Sequence, residues 1–329
     1  MAASRVSFIK RGGRKSSFWL LGSLLLLSSL SQAFSTSSTR KIALVTGGTR
    51  GIGSGIAEAL AEEGYDLLLT YNTNKKQASD FTESIRDRFG DSCKRVECVG
   101  GDISLPETRD AIFACLDSML NDKESPSCLS VMVHNAGQYV GITADNSDGI
   151  DGKFLMFGNG SLLDEDGKTS LGALEYYHRM YGTAFVDLCE RSLARMDDGI
   201  GGALLGISSP GVTTHYYGPD PSYSMPGSGK CLMEYSMRIF ALQAASRNVS
   251  CNVIIPGFTK TEAWTKLAQS RGMPDEKELI EGITERLSPR KKVMAPRELG
   301  DCVVFLASNA GRWITGLSLP YDGGVHLKL

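Results

Sequence analysis

The stretch from Lys41 to Gly64, KIALVTGGTRGIGSGIAEALAEEG, restricts the fold more than any other part of the chain. Ile42 to Val45 is an apolar run that suits one buried strand. Thr46-Gly47-Gly48-Thr49-Arg50-Gly51-Ile52-Gly53 follows at once. Ile52, Ile56, Ala57, Leu60 and Ala61 then recur on one helical face, and Gly64 stands where a helix ends with positive φ. A strand, a glycine turn and a helix in that order leave the first helical amides facing outward, at the positive end of the macrodipole. A phosphate can sit there because the glycines put no Cβ in its way.

From Lys41 onward, strands and helices alternate, which predicts a parallel sheet with helices on both faces. The predicted order is a strand at Asp66–Tyr71, a helix at 75–89, a strand at 94–99, a helix at 106–120 and a strand at 129–133. Residues 141–170 break the rhythm: they are rich in Asp and Gly and read as a surface insertion, with a short hairpin expected at 153–162. A long helix at 171–195, a strand at 202–207, a helix at 230–246 and a strand at 249–255 follow. Helices at 261–270, 274–287 and 297–307 and a strand at 316–321 complete a single α/β domain over 41–329.

With 329 residues, a formal net charge of −2 and 42% hydrophobic residues, the chain has ample length for a large core, and nucleic acid is not expected as a main partner. None of the eight cysteines forms a C-x-x-C pair, so neither a disulfide framework nor a metal site is expected. The N-terminus carries Arg5, Lys10, Arg11, Arg14 and Lys15, then the apolar run Phe18–Leu30, then the small residues around Ser31-Gln32-Ala33. That pattern predicts a signal peptide over 1–33, with an uncleaved anchor as the alternative. Residues 34–40 begin with Phe34 and are hydroxylated, basic and acid-free; with the signal peptide they resemble the bipartite presequences of algae with secondary plastids. The resemblance implies the plastid stroma, with the secretory lumen as the alternative. In that lumen the triplets Asn159-Gly160-Ser161 and Asn248-Val249-Ser250 would matter as glycosylation acceptors.

TGGTRGIG (46–53), Asp102 after the third strand, Asn135-Ala136-Gly137 after the fourth, Ser208-Ser209 after the fifth, PGFTKT (256–261) and Asp322-Gly323-Gly324 stand in one order at strand ends. In order and placement they resemble the short-chain dehydrogenase/reductase family, over almost all of the chain beyond Lys41. The resemblance implies a Rossmann-type doubly wound sheet and a nicotinamide cofactor held by Gly47, Thr49, Arg50, Gly51, Ile52 and Gly53. It further implies that Asp102 and Ile103 border the adenine, and that Asn72, Asn135, Ala136, Gly137, Pro256, Gly257 and Thr259 line the same cofactor. The second strand ends Thr70-Tyr71-Asn72-Thr73 without a carboxylate, while Arg50, Lys75 and Lys76 are basic, so NADP(H) is expected over NAD(H).

Most members of the family carry Tyr-x-x-x-Lys. Here Pro226 stands four residues before Lys230, and the pair is Tyr223 and Lys230. Seven helical steps turn ~700°, so both side chains can still face one site. This spacing resembles the enoyl-acyl-carrier-protein reductases of the family. There the tyrosine binds the thioester carbonyl oxygen and the lysine holds the nicotinamide ribose. Ser208 and Ser209 are both candidates for the family's serine, with Ser208 favoured by its distance from Gly211. The family's usual asparagine is replaced by Tyr181 or a neighbour. His134 reads as a packed strand-end residue, and His215, Tyr216 and Tyr217 as pocket or loop aromatics. The expected activity is reduction of an enoyl thioester, as in fatty-acid synthesis. A ketoreductase and a non-catalytic NADPH-binding protein are the alternatives. A homodimer or homotetramer is the expected assembly.

Overall fold

The computed structural model describes residues 39–137, 156–212, 223–270, 272–273 and 275–327. The expected signal peptide, most of the transit-like segment, much of the insertion, and His215, Tyr216 and Tyr217 lie outside them. Thr39–Leu329 forms one compact unit.

Seven parallel strands make a single sheet: β1 (Arg40–Thr46), β2 (Asp66–Tyr71), β3 (Val96–Gly100), β4 (Ser127–His134), β5 (Gly202–Ile207), β6 (Val249–Pro256) and β7 (Ser318–Tyr321). Their spatial order is β3-β2-β1-β4-β5-β6-β7. The chain runs outward from β1 in one direction, then crosses back beside it to β4. That reversal opens a crevice at the carboxyl ends of β1 and β4, where ligands of such sheets bind. The central strands are apolar along their length because helices cover both of their faces.

One face buries Leu44, Leu129, Met132 and Leu204 under α3 (Pro106–Leu120), α4 (Gly172–Tyr177), α5 (Ala184–Leu193) and α6 (Ser224–Ala244). The other buries Val45, Leu69, Val131 and Leu205 under α1 (Gly51–Glu62), α2 (Lys75–Phe89) and α9 (Pro296–Ala307). Helices α1 and α9 cross at glycines. A Cβ on Gly55 would stand 2.2 Å from the Pro296 carbonyl carbon, so only glycine lets the two backbones meet. Helices α7 (Glu262–Ser270) and α8 (Glu276–Leu287) follow β6.

Several local expectations need correction. β1 begins at Arg40, whose guanidinium grips Asp66 at 2.6 and 2.8 Å, so the last residue of the transit-like segment belongs to the fold. Lys153 lies outside the described residues, 156–162 contains no strand, and the one antiparallel bridge of the described insertion joins Leu163 to Thr169. Helix α6 starts six residues before the predicted Lys230, because Pro226 falls in its first turn, where no amide is needed. The long helix expected at 171–195 runs without a break from Gly172 to Leu193, but its middle is π-helical: α4 (Gly172–Tyr177) passes through a π turn at His178–Thr183 into α5 (Ala184–Leu193).

Candidate active site

The glycine turn has the shape required to receive an anion. Helix α1 starts from Arg50 with no side-chain cap and no acidic residue in its first turn, so its leading amides have no internal acceptor. Gly47 and Gly51 have φ of +62° and +54°. A Cβ on Gly53 would fall 2.1 Å from the Gly47 carbonyl oxygen and 2.6 Å from Asn135 Nδ2. Glycine at 53 is therefore a condition of closure between the turn and the end of β4. Near Gly51 the nearest atom to such a Cβ is Thr261 Cγ2 at 3.7 Å, so this part of the cradle has room beside it. Ile52 packs its side chain into the core and contributes through its backbone position, and Thr49 is buried.

Thr46 organises the junction. Its hydroxyl accepts from the Asn135 and Ala136 amides, both at 3.0 Å. Both lone pairs are then used, so its own proton goes to His134 Nδ1, 2.9 Å away. That fixes the imidazole proton on Nε2, which donates to the Met180 carbonyl at 3.0 Å. Burial pushes the His134 pKa down to about 4, against the pull of that carbonyl. Asn135 Nδ2 also donates to the carbonyls of Thr46 and Gly47, each at 3.1 Å. The Asn135-Ala136-Gly137 turn is thus clamped to the glycine loop. Thr70, not singled out from sequence, accepts the Gly47 amide at 3.0 Å.

The remaining cofactor candidates divide. Asp102 lies half-buried at the end of β3 and accepts the Ser104 amide at 2.8 Å. Ile103 points into the core, so only its backbone can border a ligand. Arg50, Asn72, Lys75 and Lys76 are all exposed. Pro256 ends β6, and Gly257 packs so tightly on Asp322 that a Cβ would stand 2.7 Å from the Asp322 Cα. Thr259 is buried and bonds the Gly257 carbonyl at 3.0 Å, which shapes the turn that carries Thr261 to the glycine loop.

On the other side of the crevice, Tyr223 stands at the N-terminus of α6 and Lys230 two turns into it. Ser209 Oγ lies 3.0 Å from Tyr223 Oη and 3.0 Å from Lys230 Nζ. Lys230 also donates to the Ile207 carbonyl at 3.2 Å. An ammonium can only donate, so Ser209 accepts from Lys230 and has one proton left for Tyr223 or a substrate oxygen.

The preference for Ser208 is corrected by this geometry. Ser208 is buried and gives its hydroxyl to Glu234 Oε1 at 2.5 Å, while Ser318 gives its own to Glu234 Oε2 at 2.7 Å. Ser208 shares the face of Leu204 and Gly206, the face that α6 covers, and Glu234 is one helical turn beyond Lys230. Tyr181, one of the candidates for the place of the family's asparagine, lies with its ring under Lys230 Nζ, the centroid 4.8 Å from the ammonium.

Residues 47–326 match a family profile described as enoyl-(acyl carrier protein) reductase. The chain is 27% identical over 294 residues to a hydroxynaphthalene reductase-like protein of Metarhizium brunneum, covering 86% of this chain and 94% of that one. It is 28% identical over 286 residues to a 3-oxoacyl-(acyl-carrier-protein) reductase of Aquifex aeolicus, covering 87% and 97%. Among solved structures it resembles an angucycline C-6 ketoreductase crystallised with NADP, at a TM-score of 0.68 and 28% identity, covering 88% and 96%.

Proposed function

This chain belongs to the short-chain dehydrogenase/reductase family, and from that premise we propose that it uses NADPH to reduce a carbonyl compound, a ketone first among them. It is an NAD(P)-dependent oxidoreductase. The observation that carries the ketone reading is Ser209 Oγ bridging Tyr223 Oη and Lys230 Nζ at 3.0 Å each. A serine and a tyrosine hydroxyl side by side suit an oxygen that becomes an alkoxide. The relatives named for 3-oxoacyl and C-6 keto reduction support the same order of preference.

The residues present fit the cofactor. The uncapped start of α1, with Gly47, Gly51 and Gly53, would hold its pyrophosphate, and Asn135 to Gly137 and Lys230 its nicotinamide half. Arg50, Lys75 and Lys76, with no carboxylate at the end of β2 (Thr70-Tyr71-Asn72-Thr73), favour the 2'-phosphate of NADPH. When bound, the nicotinamide supplies the hydride. Tyr223 then gives its proton to the substrate oxygen. Ser209 donates to the tyrosine oxygen left behind, and the Lys230 charge behind Ser209 stabilises that anion.

Reduction of an enoyl thioester is the second reading. The Tyr223-to-Lys230 spacing and the matched profile favour it. In that case Tyr223 and Ser209 stabilise an enolate oxygen rather than an alkoxide.

The test is NADPH oxidation at a series of 3-oxoacyl and enoyl thioesters and cyclic aromatic ketones, with wild-type protein and Tyr223→Phe. The expected result is turnover of a ketone that Tyr223→Phe lowers by about 10²- to 10⁴-fold with NADPH binding intact. Turnover of enoyl thioesters alone would exchange the two readings. Full turnover by Tyr223→Phe would sink both.

A further inference from the structure

We propose that the π face of Tyr181 holds the Lys230 ammonium in place, which makes Tyr181 a positioning residue for the Ser209–Tyr223–Lys230 chain. The inference rests on the reading above that Lys230 serves the reaction. Lys230 is 7% exposed, so its charge is removed from bulk water. Its partners among the described residues are the Ile207 carbonyl, the Ser209 hydroxyl and the Tyr181 ring, with Nζ 4.8 Å from the ring centroid. A cation over an aromatic face is attracted by the ring quadrupole, more strongly where water is excluded.

The ring is itself fixed on three sides. It is 2% exposed and lies parallel to the Tyr177 ring, with centroids 6.1 Å apart and planes 4° from each other. Its hydroxyl stands 2.9 Å from where a Cβ on Gly137 would be, so glycine at 137 makes space for it. Its backbone sits in the π turn His178–Thr183. The Met180 carbonyl of that turn takes the Nε2 proton of His134. Hydrogen bonds of fixed polarity thus run from the Asn135 and Ala136 amides through Thr46 and His134 to the turn that aims Tyr181. The same residues that shape the cofactor crevice set the ring beneath the lysine.

The experiment is a fluorination series at position 181. Phenylalanine and its mono-, di- and trifluorinated forms keep the shape of the ring while draining its face of negative potential. Tyr181→Phe should keep at least a third of wild-type kcat. Across the fluorinated forms kcat should fall stepwise, by about tenfold in all, while melting temperature and NADPH Kd stay level. A loss of thirtyfold or more in Tyr181→Phe would show that the hydroxyl matters rather than the face, and would overturn the proposal. A flat series beside an inactive Lys230→Ala overturns the proposal alone. A Lys230→Ala enzyme with near wild-type turnover overturns both this inference and the catalytic reading beneath it.

Discussion

The two walls of the crevice are built by different means. On the β1 side the site is made by backbone and by missing side chains: positive φ at Gly47 and Gly51, no room for a Cβ at Gly53, and free amides at the start of α1. On the α6 side it is made by side chains that must point correctly: Ser209, Tyr223, Lys230 and the Tyr181 ring. A backbone cradle tolerates almost any neighbour but not one extra methyl group. A side-chain chain tolerates methyl groups but not a change of donor or direction. The first wall should therefore fail as a whole, and the second by steps.

Gly53→Val tests the first half of that contrast and should have the largest effect. Its Cβ must displace the Gly47 carbonyl, which would lie 2.1 Å away, and both are backbone-bound. The expected result is loss of measurable NADPH binding in a titration of cofactor fluorescence, or failure to fold. Binding within about threefold of wild type would show that the turn relaxes, contrary to the close packing of protein interiors.

The same contrast explains what could be read in advance. β2, α2 and α3 have the bounds that the sequence predicts, because period and capping are properties of neighbours along the chain. The cradle was legible for the same reason, since glycine spacing and backbone conformation are one thing. Direction was not legible. Ser208 and Ser209 differ only in which way the end of β5 turns, and the answer depends on Glu234, 26 residues away. The π turn at His178–Thr183 has no sequence signature of its own. It is held by His134 from another strand, a residue whose composition alone suggests simple packing.

The paired variants Ser209→Ala and Ser208→Ala probe the second wall. Ser209→Ala removes the bridge between Tyr223 and Lys230, and kcat should drop by about 10²- to 10³-fold with little change in melting temperature. Ser208→Ala should leave the reacting groups in place and withdraw one partner from buried Glu234, at a cost of about 1–3 kcal/mol of stability in urea unfolding. The reverse pattern, with Ser208→Ala slow and Ser209→Ala merely less stable, would put the family's serine back at 208.

His134 joins the two walls, and its titration should be visible in stability. Its folded pKa of about 4 lies below the unfolded value near 6.5, so the unfolded chain binds the extra proton first as pH falls. The contribution is complete above pH ~6.5, declines as pH falls toward ~4, and amounts to roughly 3 kcal/mol. Carboxylates titrate in the same window, so the useful comparison is with His134→Gln. That variant should be less stable at pH 7, yet its stability should fall less steeply between pH 6.5 and 4. Parallel slopes for the two proteins would place the His134 ring in contact with water.

The smallest effect concerns the exposed rim of the first wall. Arg50 precedes α1 in extended conformation, with φ of −155°, and its side chain is exposed beside the acid-free end of β2. A guanidinium there would meet a 2'-phosphate but gain nothing from a free 2'-hydroxyl. Arg50→Gln should therefore leave kcat/KM for NADH nearly unchanged and lower that for NADPH by about tenfold. Because the site faces solvent, the loss should shrink as salt rises from 50 to 500 mM, unlike the losses caused by the buried groups. An equal loss for both cofactors would mean that Arg50 supports the turn itself. The rim would then behave like the backbone cradle it borders, and cofactor choice would have to rest on Lys75, Lys76 and Asn72.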